Sequence, residues 1–170
     1  MELTLKKISA DAIPAAIRTA EHYRDLNEPS EAESICRDIL AVDKTNQMAL
    51  RLLGLSLTDQ FTGRDTDPYN EAERALASLL DPYERFYYTG MLRERRAKAE
   101  LAVGRPSYEV TALLRDALDC FEEAAKIRPA GNDEALLRWN HCVRLVQSRP
   151  DLEWMARGSR QGGRRTDRES

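Results

Sequence analysis

The side chains that could act as nucleophiles, bases or metal ligands are few and scattered. There are two histidines, His22 and His141, far apart in the chain, and three cysteines, Cys36, Cys120 and Cys142. Cys142 directly follows His141, but neighbours on a helix point about 100° apart, so the two make poor co-ligands. An odd cysteine count without a CxxC pair suggests neither a disulfide framework nor a zinc site. The chain has no glycine-rich phosphate loop, nucleophile elbow or paired-histidine zinc motif. Two charged stretches stand out. Glu94–Glu100, ERRAKAE, reads as a solvated helix face laced by ion pairs rather than a nucleic-acid patch. From Ala156 on, ARGSRQGGRRTDRES carries five arginines against two acids and reads as a disordered, solubilising tail. Tyr83, Phe86, Tyr87 and Tyr88 form the one aromatic group. Phe86 is expected in the core, and Tyr87, with Met91 one turn on, is expected to face a partner.

The elements that would position these groups are helices. Ser30 stands three residues before Glu33, the spacing of a capping box. Ala32, Ile35, Cys36, Ile39 and Leu40 then trace one stripe of a helix. After DKTN, Asn46 can cap a second helix that is apolar nearly all round through Leu57, so it must be covered on more than one side. Asp81-Pro82-Tyr83-Glu84 is a third clear start, with an N-cap followed by proline at the first helical position. The periodicity predicts seven helices, near 13–26, 30–42, 47–61, 69–80, 82–103, 107–128 and 133–147, and no strand. Leu76, Leu79 and Leu80 are expected to face inward on the fourth. On the last, Ala135, Leu136, Trp139, Cys142, Val143 and Val146 are expected inward, with Arg138 outward. Leu152, Trp154 and Met155 are placed to fold back on it.

Ala16, Thr19, Ala20 and Tyr23 recur as Leu50, Leu53, Gly54 and Leu57, one period of about 34 residues later. In ALDCFEEAAKIRP, Ala117, Phe121, Ala124 and Pro129 keep a small–aromatic–small–proline spacing. Across roughly 13–147 the chain thereby resembles the tetratricopeptide repeat family. The resemblance implies an all-α solenoid of antiparallel helix hairpins with small residues at the crossings: Ala20 and Ala32, Gly54 and Ala72, Gly90 and Ala117. It divides the chain into a lead-in over 1–12 and a helical domain over 13–155. Within the domain the repeats fall near 13–46, 47–81 and 82–131, followed by a capping helix at 132–148; the tail is 156–170. The third repeat departs from the pattern, with both helices of its hairpin about two turns longer than the norm.

In that family the first helices of successive repeats line a concave groove for a peptide or partner helix. The resemblance assigns Ile17, Glu21, Arg24, Arg51, Leu55, Thr58, Tyr87, Met91 and Glu94 to that groove. Ile17 and Glu21 occupy the places where one subclass grips a terminal carboxylate, which excludes that grip here. The mixed, partly apolar groove suits an amphipathic segment. A competing surface is the tip of the long hairpin 82–128, around Leu101 and Tyr108, which could join two copies in a homodimer.

Composition is consistent with such a module. With 42% hydrophobic residues the chain can bury a continuous core, and 32% charged residues suit a solvated surface. The net charge of −3 gives no reason to expect nucleic acid as the main partner. No apolar run approaches the roughly 18 residues of a membrane span, and MELTLKKISADAIP lacks a signal-peptide core, so a cytoplasmic location is expected. The expected function is non-enzymatic, without a cofactor or metal: an adaptor or scaffold binding other proteins. A chaperone for secreted substrates and a non-catalytic assembly subunit of an enzyme complex are the alternatives, the former weakened by the short lead-in.

Overall fold

A computed structural model describes residues 3–152. Seven α-helices follow a short 3-10 turn: α1 (Ile13–Asp25), α2 (Pro29–Val42), α3 (Gln47–Asp59), α4 (Tyr69–Ala77), α5 (Pro82–Ala102), α6 (Ser107–Lys126) and α7 (Glu134–Gln147). Among the described residues there is no strand. No helix there is long and apolar enough to cross a membrane. The expected tail at 156–170, with Trp154 and Met155, lies outside the described residues.

Local chemistry accounts for several of the boundaries. Asn46 accepts a hydrogen bond from the backbone N–H of Ala49 and starts α3. Asp81 accepts from the N–H groups of Tyr83 and Glu84 and starts α5, with Pro82 in its first turn. Between α1 and α2 the chain turns through Asn27 at φ 60°, a left-handed conformation that asparagine tolerates. There the N–H of Glu28 reaches back to the carbonyl of Tyr23, and that of Asn27 to Arg24, closing the helix end. The α5–α6 turn repeats this geometry at Gly104, where Arg105 N–H bonds to the Glu100 carbonyl.

One expected cap is absent. α2 begins at Pro29 with Glu28 as N-cap and no side-chain cap bond, so Ser30 and Glu33 form no capping box. Glu33 is drawn away by stronger partners, Arg37 at 2.7 Å and the amide of Gln60 at 2.7 Å. α4 is also shorter than expected. It ends at Ala77, so Leu79 tucks inward while Leu80 turns out to 76% exposure.

Each helix packs against the next in sequence, and α1 also touches α3, α3 touches α5, and α5 touches α7. α1, α3, α5 and α7 therefore lie side by side. α2, α4 and α6 each bridge the two that flank them in sequence. The first core joins α1 to α4 through Ala20, Ala32, Cys36, Leu53, Leu57, Ala72 and Leu76, with Leu92 of α5. A second holds Leu55, Tyr83, Tyr87, Met91, Ala117, Phe121, Ala135 and Cys142. Ala97, Val110, Leu114, Val146 and Leu152 form a third at the far end of the long hairpin. Burying one such leucine or phenylalanine contributes about 1.5–3 kcal/mol.

Small residues permit the close crossings. A Cβ on Gly54 would stand 2.5 Å from Leu76, and one on Gly90 would stand 2.6 Å from Phe121. Both neighbours are fully buried and have nowhere to move.

Candidate interaction surface

The nine residues assigned to the groove separate into two groups. Ile17, Glu21 and Arg24 on α1 and Arg51 on α3 are half-buried. Leu55, Thr58, Tyr87, Met91 and Glu94 are all below a tenth exposed. Tyr87 in particular is not an exposed anchor. It stacks on Tyr83 with ring centroids 5.8 Å apart, meets Tyr88 edge-on at 5.1 Å and lies 6.2 Å from Phe121.

Phe86, expected inside, is the more exposed of the two rings. Tyr83, Tyr87, Met91 and Glu94 lie along the face of α5 packed against α6 and α7, and Phe86, about 100° round the helix from Tyr87, stands at the edge of that face. Leu136 on α7 is likewise more exposed than its stripe suggested.

Apart from Leu137, most of what remains open around α3, α5 and α7 on this side is charged. Asp59, at the end of α3, accepts from Arg24 of α1 at 2.8 Å and pairs with Arg95 of α5. Arg95 also donates to the Thr58 hydroxyl at 2.6 Å, and that hydroxyl donates to the Leu55 carbonyl. Glu94 is fully buried, and its carboxylate serves three partners. Lys98 bonds to it from one turn along α5, Arg138 of α7 stands 3.4 Å away and Nε2 of His141 stands 3.7 Å away. Arg51 pairs with Glu84 at 2.7 Å and lies over the Tyr88 ring, which fixes the α3–α5 contact nearer the start of α5.

Electrostatics follow from this crowding. Burial, opposed by Asp59 but aided by nearby Arg24 and Arg138, holds the Arg95 guanidinium below its usual pKa. Burial works against the charge on Arg138 too, but Glu94 and a hydrogen bond with Tyr87 outweigh it. Two shallow hollows open here. One, of about 280 Å³, is lined by Tyr87, Glu134, Leu137, Arg138 and His141. The other, of about 420 Å³, is lined by Thr58, Asp59, Phe61, Arg95, Lys98 and Ala99.

Asp59, Arg95, Lys98, Arg138 and His141 were not among the groove residues expected from sequence. Arg138 was expected to face outward, and ERRAKAE to be a solvated surface. In the structure Glu94 and Ala97 are fully buried and Glu100 is 6% exposed. The signal within reach was the Glu94–Lys98 spacing of four, the separation of pairing side chains on a helix. The partners contributed by α7 are distant in sequence and left no local trace.

The cysteine beside His141 is not poised as a nucleophile. Burial pushes the thiols of Cys142 and Cys36 up to about 12, so both are protonated at neutral pH. No group of three or more potential metal ligands occurs among the described residues. No protein-family model, curated protein sequence or solved structure matches this chain.

Proposed function

We propose that this chain is a non-enzymatic interaction module, an adaptor or scaffold built on tetratricopeptide-like hairpins. It takes a peptide or helical segment of a partner protein along the face shared by α1, α3, α5 and α7. The observation that carries this reading is the contact of α1 with α3, α3 with α5 and α5 with α7, which lays four helices side by side with two hollows between them. The small residues at the expected crossings, Ala20, Ala32, Ala72 and Ala117, are fully buried, as the repeat register requires. Leu137, 65% exposed on the rim of one hollow, supplies apolar contact beside the charges.

The test is positional. A photo-crosslinking side chain placed at Leu137 should capture a partner in cells, and the captured segment, made as a peptide, should bind the purified chain and lose that binding on Leu137→Asp. The same crosslinker at Val103 or Tyr108, exposed near the tip of the long hairpin, is the comparison. Capture at the tip alone, with Leu137→Asp binding normally, would replace the groove with the hairpin tip.

A further inference from the structure

We infer that the partner segment is acidic, and that its carboxylates complete a charge network which the protein leaves short of negative charge. This rests on the docking face proposed above and names the chemistry it recognises. Around the two hollows stand four permanent cations, Arg24, Arg95, Lys98 and Arg138, against three carboxylates, Asp59, Glu94 and Glu134. Farther out on the face Arg51 is matched by Glu84, and Glu21 stands on α1. Each of the four cations draws on Asp59 or Glu94. Asp59 is shared by Arg24 and Arg95. Glu94 is shared by Lys98 and Arg138, with His141 also beside it. One carboxylate per two cations leaves hydrogen-bond donors over, since a guanidinium has five and an ammonium three. Arg95 lies close enough to both Arg24 and Arg138 for their charges to weigh against its own. An incoming carboxylate would relieve that repulsion.

The geometry suits a chain crossing α5. Glu94 sits between the hollows: Lys98 lines one, and Arg138 and His141 line the other. Acidic side chains can enter from both sides while an apolar one rests on Leu137. The remaining acid in the second hollow, Glu134, is at the first residue of α7, where it offsets the helix dipole, one turn from Arg138. A peptide is favoured over a nucleic acid because Tyr87, the ring beneath one hollow, is only 8% exposed and offers little face for stacking bases.

The network yields a test in which one substitution should improve binding. Glu94→Gln removes the competing carboxylate with almost no change in shape and frees Lys98 and Arg138. The probes are two fluorescein-labelled amphipathic helices, one of leucine and glutamate and one of leucine and lysine, with a single-stranded oligonucleotide as a third. Fluorescence anisotropy at low salt should show the glutamate peptide binding at least about tenfold tighter than the lysine peptide, weakening as salt rises. Glu94→Gln should tighten the glutamate peptide severalfold, and Lys98→Gln should weaken it by a similar factor. Circular dichroism melts confirm that both variants fold.

The acidic-partner inference is overturned, with the docking face intact, if both peptides bind alike and only Leu137→Asp abolishes binding. It is also overturned if folded Glu94→Gln binds the glutamate peptide no better than the parent does. Tighter binding of the oligonucleotide than of either peptide would replace the partner class. Binding of no probe at all would remove both the inference and the face on which it rests.

Discussion

α3 and the middle of α5 are buried to a similar degree by opposite chemistry. In α3, Ala49 and the run Leu52–Thr58 are all below a tenth exposed, and most of these side chains are apolar. In α5, the stretch Glu94–Glu100 is mostly charged, yet Glu94, Ala97 and Glu100 are buried as well. The first helix is held by apolar contact, which is non-directional and tolerant of its neighbours. The second is held by directional pairs brought in from elsewhere. Glu94 meets Arg138 and His141 of α7, and Arg96 joins Glu100 at 2.6 Å to Asp67 in the α3–α4 loop at 2.9 Å. A hydrophobic helix announces its burial. A charged one is buried only if its partners arrive, and that is settled by the whole fold.

The sharpest break in the comparison should come from α3. Leu57→Ala, at 1% exposure, should lower unfolding free energy by about 2–5 kcal/mol in urea denaturation, through lost transfer energy and the cavity left behind. A loss below about 1 kcal/mol would mean that α3 is less enclosed than the contacts indicate.

Next comes the charged network. Burial alone would raise the pKa of Asp67, but hydrogen bonds from the Thr62 hydroxyl and the Thr62 and Gly63 N–H groups, with Arg96, hold it below the usual value. A carboxyl depressed in the folded state contributes its full stability above its unfolded pKa of about 3.9, and loses it as pH falls through the lower folded value. Asp67→Asn should therefore cost about 1.5–3 kcal/mol at pH 7. It should also flatten the decline in stability that the parent shows below about pH 4. Equal slopes in the two acid titrations would sink this assignment.

Gly54→Leu should cost about 1–3 kcal/mol by driving a side chain into Leu76, seen as a lower melting temperature. Unchanged melting would mean that the α3–α4 crossing is misplaced. For Glu94→Gln the expected loss of stability is about 1 kcal/mol, below the roughly 3–5 kcal/mol of breaking a fully enclosed pair. Lys98 and Arg138 are each about a third exposed and turn to water when the carboxylate goes. A large loss there would show that the pairing is what holds α7 on α5. The smallest effect is chemical: with their thiols pushed up to about 12, Cys36 and Cys142 should resist iodoacetamide at pH 8 until guanidinium unfolds the chain.

The sequence by itself determined the number of helices and, within a residue or two for most, their ends. Those depend on signals a few residues long: Asn46 and Asp81 as caps, Pro82 at a first turn, Asn27 and Gly104 where the chain must reverse. The 3.6-residue period of Ala32, Cys36 and Ile39 likewise marked an inward stripe that is fully buried. Ser30 and Glu33 show where such local reading stops, since a nearby arginine and a distant glutamine outcompeted the cap. The tertiary structure alone decided which ring of the Phe86–Tyr87 pair goes inside, because α7 covers one side of α5 and not the other. It also decided that Glu94 is enclosed rather than solvated, through an arginine 44 positions away in the chain. A charge can be buried only against specific partners at hydrogen-bond distance, and no pattern within a single helix records where those partners will come from.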